Sequence, residues 1–62
     1  MTKSDLDSYV LSNMSKYTTL NESRANRISG IIWRVYEFDL VAKSDAECHI
    51  LIDEIMNNIF DN

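Results

Sequence analysis

Cys48 and His49 stand side by side in this chain, and Asp45 and Asp53 each lie four residues from His49. A thiol beside an imidazole is the raw material of a nucleophile–base pair. A histidine with carboxylates at that spacing offers three ligands to a metal on one helix face. Helix geometry argues against the first reading, because neighbours point about 100° apart and do not face each other. Cys48 falls within an apolar stripe and reads as a small buried hydrophobe. His49, at the edge of that stripe, reads as a surface or interface histidine near a carboxylate. Glu47, Asp53 and Glu54 could be offered as acid–base groups, but nothing in the sequence builds a pocket around them. G-x-S-x-G, H-E-x-x-H, C-x-x-C and a glycine-rich phosphate loop are all missing from the sequence. The expectation is a protein that is not an enzyme, with no cofactor, no metal and no small-molecule substrate.

Charge carries more information. Arg24, Arg27 and Arg34 share the central segment and could track phosphates, as in a small helix-turn-helix-like nucleic-acid-binding regulator. The net charge of −4 opposes that alternative, because an acidic chain repels nucleic acid. Glu37 also sits one turn from Arg34. Residues 44–62 hold Asp45, Glu47, Asp53, Glu54 and Asp61 with no lysine or arginine. Glu47, Asp53 and Glu54 form a candidate acidic face, able to imitate nucleic-acid phosphates in a basic groove; a merely solvated surface is the plainer reading.

The elements that position these residues are helical. The sequence has no proline and one glycine, too few turn formers for a β-protein. Turn signals cluster at 18–23 and 42–47, which implies three segments: helices near 4–17, 20–38 and 45–60. Ser4 is the expected cap of the first, and Leu6, Tyr9, Val10, Met14 and Tyr17 form its apolar face. Thr19 or Asn21 caps the second. Ser44-Asp45-Ala46-Glu47 reads as a capping box for the third. Cys48, Leu51, Ile52, Ile55, Met56, Ile59 and Phe60 share that helix's face, Ile50 points away, and fraying is expected at Asp61–Asn62.

The second segment contains SGIIWRVYEF, the most apolar stretch. Ile28, Ile31, Ile32 and Val35 follow helical spacing rather than strand alternation. With Ala25, Tyr36 and Phe38 they make a wide stripe; Trp33, Leu40 and Val41 lie beyond its edges. A break is expected near Asp39, which would otherwise enter the stripe.

A 62-residue chain buries only about 60% of the surface its unfolded form exposes. One cysteine allows no internal disulfide. A partner or a homo-oligomer is the usual remedy at this size. The expected contact surface is therefore Arg27, Ile32, Trp33, Arg34, Tyr36 and Phe38, centred on Trp33, since Trp, Tyr and Arg anchor interfaces. The reading is a single all-α three-helix domain over 1–62. It would act as a regulator or inhibitor that docks onto a larger protein. No apolar run reaches the length of a membrane span and the N-terminal residues have no secretory pattern, so a cytoplasmic protein is expected. In length the chain resembles the very short helical regulators carried by phages and plasmids, a likeness of size and not of motif.

Overall fold

Thr2, not Ser4, starts the first helix. Its hydroxyl accepts the Asp5 N–H at 3.1 Å, and the Asp5 carboxylate accepts the Thr2 N–H at 3.0 Å. This reciprocal box satisfies donors that a helix start leaves bare. It places α1 at Lys3–Asn13, followed by a 3-10 turn at Met14–Lys16. The tightening follows Asn13, whose side-chain amide donates back to the Tyr9 carbonyl at 2.8 Å and competes for a helical acceptor. The structure is a computed structural model and describes residues 1–61.

The second helix, α2, spans Glu22–Ala42 and is capped by Asn21, whose side chain accepts the Arg24 N–H at 3.0 Å. It is longer than expected. Helical torsions fail at Tyr36 (φ −115°, ψ 15°), not at Asp39, and the helix then resumes. Leu40 lies eight residues beyond Ile32, within the arc that one helix face covers, and both are buried in one core.

The third helix, α3, spans Asp45–Phe60, as the sequence indicates. Ser44 caps it through the Glu47 N–H at 3.3 Å. The Glu47 carboxylate takes the Ser44 hydroxyl at 3.1 Å, in place of the backbone N–H of a full capping box. Asp61 follows with extended torsions; the expected fraying at Asn62 falls outside the described residues.

The core is built from three narrow rows. Leu6, Val10 and Met14 come from α1 and its turn; Cys48, Ile52 and Met56 come from α3. Both rows step by four residues, so each helix offers a single ridge. Ala25, Ile28, Ile32 and Leu40 of α2 meet them, and α1 packs chiefly against α2. Each fully buried Leu or Ile contributes about 1.5–3 kcal/mol relative to exposure. The Leu40 carbonyl, near the end of α2 where helical donors run out, accepts the Met1 amino group at 2.8 Å and the Cys48 thiol at 3.2 Å. Cys48 is thus both a core filler and a donor. The radius of gyration, 10.7 Å, is that of a fully collapsed chain of this length.

Candidate functional site

The outer face of α2 carries four of the seven exposed large hydrophobics among the described residues, Ile31, Val35, Phe38 and Val41. Ile31 is 58% exposed, Val35 64% and Phe38 89%, at a spacing of four and three residues along one side. Arg27 and Arg34 are exposed beside them, and Val41 extends the strip. These side chains are left out because the core row of Ala25, Ile28, Ile32 and Leu40 takes the inward side of the helix.

The expected contact set therefore divides. Arg27, Arg34 and Phe38 lie on the open face. Ile32 does not: it is fully buried, because it faces α1 and α3 in the core row. Trp33 and Tyr36 are half-buried against the core and sit at the margins of the face, so its centre moves from Trp33 to Ile31, Val35 and Phe38. Ile31 and Val35 were legible as part of an over-wide stripe; which half of it would stay outside was not.

A second polar cluster joins α1 to α3. The rings of Tyr9 and His49 stack at 4.2 Å with 6° between planes. The Tyr9 hydroxyl donates to Asp53 Oδ1 at 2.9 Å. Burial, then the Asp53 carboxylate, pushes the Tyr9 phenol up to about 12. Asp53 is thereby half-buried and engaged, so the acidic face reduces to the exposed Glu47 and Glu54. Met1, Asp5, Asp45 and His49 border an open notch of about 360 Å³ next to this stack. Among the described residues, no cluster of three His, Cys, Asp or Glu is arranged to hold a metal ion.

A third cluster was not anticipated. Ser29, fully buried on α2, donates its hydroxyl to Asp7 of α1, which also receives Lys3 at 3.1 Å. The Ser29 hydrogen bond leads in holding the Asp7 carboxyl below its ordinary value, against partial desolvation. The only advance signal was a serine inside an apolar run.

At the start of α2, Asn21, Ser23, Arg24, Arg27, Ile31 and Ile59 line an open groove of about 400 Å³. Arg24 is held there over the Phe60 ring, 5.0 Å from its centroid, and Phe60 stacks on Tyr17. The three arginines thus do not form one free basic stripe. Among the described residues, no helix is long and apolar enough to cross a membrane. Comparison of the chain with protein-family models, with curated proteins and with solved structures gives no match.

Proposed function

We propose that this chain is a non-catalytic protein-binding module, a small regulator or inhibitor that works by docking onto another polypeptide through the outer face of α2. One observation carries the reading: Ile31, Val35 and Phe38 stand exposed together on a helix whose opposite side already fills the core. Contiguous apolar surface of this kind on a small domain marks contact sites. Arg27 and Arg34 beside it add a side chain enriched among binding anchors. Glu47 and Glu54 on α3 give a separate acidic surface that could face a basic partner.

Affinity capture with the purified chain tests the reading. Phe38→Glu changes a side chain that is almost wholly exposed, so the helical circular dichroism should stay that of the wild type. The wild type should retain a defined protein, whether its own copies or another chain, and Phe38→Glu should lose it. Equal recovery by both proteins, or recovery by neither, overturns the reading.

A further inference from the structure

We propose that the partner covering the outer face of α2 is a second copy of this chain, with the two α2 helices antiparallel about a two-fold axis. The inference rests on the protein-contact reading and names its partner.

The charge order along α2 points to this arrangement. Glu22 opens the helix; after it Arg24, Arg27 and Arg34 precede Glu37 and Asp39, and all five of these are exposed. No basic residue occupies the last turn. Beyond Glu22 the charge is thus segregated, basic in the first half and acidic in the second, and the helix dipole gains nothing from the acidic end. Nor is it offset internally, since none of the five belongs to an ion pair among the described residues. An antiparallel copy sets the arginine-bearing part of one helix beside Glu37 and Asp39 of the other, twice by symmetry, and opposes the two dipoles. A parallel copy would set arginine on arginine. Ile31, Val35 and Phe38 supply the apolar centre, and a two-fold contact closes on itself rather than propagating as a filament.

Gly30 stands about 100° round the helix from Ile31, at the flank of this face, and a Cβ built there meets nothing within 4 Å. A dimer of standard size takes roughly 800 Å² from each partner, about a fifth of the 4228 Å² surface. The seam therefore has to run most of the length of α2 and take in Val41.

Sedimentation velocity on the full chain over a concentration series tests this. The wild type should form a dimer that weakens with added salt. Arg27→Glu/Arg34→Glu and Glu37→Lys/Asp39→Lys should each raise the dissociation constant about tenfold or more, with unchanged circular dichroism. The combined fourfold exchange restores opposite charges across an antiparallel seam and should recover most of the affinity. A wild type that stays monomeric to about 1 mM overturns the second copy. Loss of capture by Phe38→Glu would then still support contact with a different protein. A dimer indifferent to either double variant, or one that the fourfold exchange fails to rescue, overturns the antiparallel seam.

Discussion

Ser29 shows how one buried hydroxyl is made tolerable. A serine inside a helix can turn to its own backbone or must find a partner elsewhere. Here the partner is Asp7, a carboxylate at the rim of α1 that Lys3 also holds. Replacing Ser29 with Ala should cost about 1.5–3 kcal/mol in urea unfolding at neutral pH, the usual worth of a hydrogen bond to a charged acceptor. The acid limb should change as well. The folded Asp7 carboxyl titrates below its ordinary 3.8, so its contribution is complete above that pH and is lost as pH falls through the folded value. Unfolding curves taken down through this range should lose stability less steeply for Ser29→Ala than for the wild type. Parallel curves would show that Asp7 draws its stabilisation from Lys3 alone.

Among the elements, α2 departs most from a regular helix. Its torsions leave the helical range at Tyr36 and then recover, while Ile32 and Leu40, eight residues apart, keep to one core face. Phe38 stands outside. Gly30 weakens the helix without relieving any clash in the isolated chain. Gly30→Ala should therefore raise the stability of the dissociated protein by about 0.5–1 kcal/mol, measured by urea unfolding at low concentration. A variant less stable in dilute solution would mean that the backbone at Gly30 needs the glycine for the fold itself.

For the whole molecule, size and charge are the governing quantities. A net charge of −4 on 62 residues sets the long-range field against nucleic acid. Arg24 is drawn onto Phe60, which leaves Arg27 and Arg34 without a third free arginine beside them. Electrophoretic mobility of a duplex DNA probe at low salt should stay unchanged when the protein is added. A shift that disappears steeply with salt would favour the helix-turn-helix-like alternative over protein contact. The small core works in the same direction, because a domain this short shelters a modest fraction of its apolar surface and leaves Ile31, Val35 and Phe38 exposed.

Three helices, the Ser44 cap, the bounds of α3 and the burial of Cys48 followed from local patterns, because caps and four-residue ridges are short-range properties of the chain. Thr2 was equally local, a T-x-x-D box hidden behind the more familiar serine at position 4. The over-wide apolar girth of α2 was also legible. Which half of that girth would be sheltered was not, since a periodic stripe fixes angles around one helix but not where its neighbours stand. The placement of Ile32 and Leu40 inside, the exposure of Val35, the Ser29–Asp7 bond and the stacking of Tyr9 on His49 all required α1 and α3 to be in position. Those contacts join elements distant in the sequence, so only the packed tertiary structure decides them.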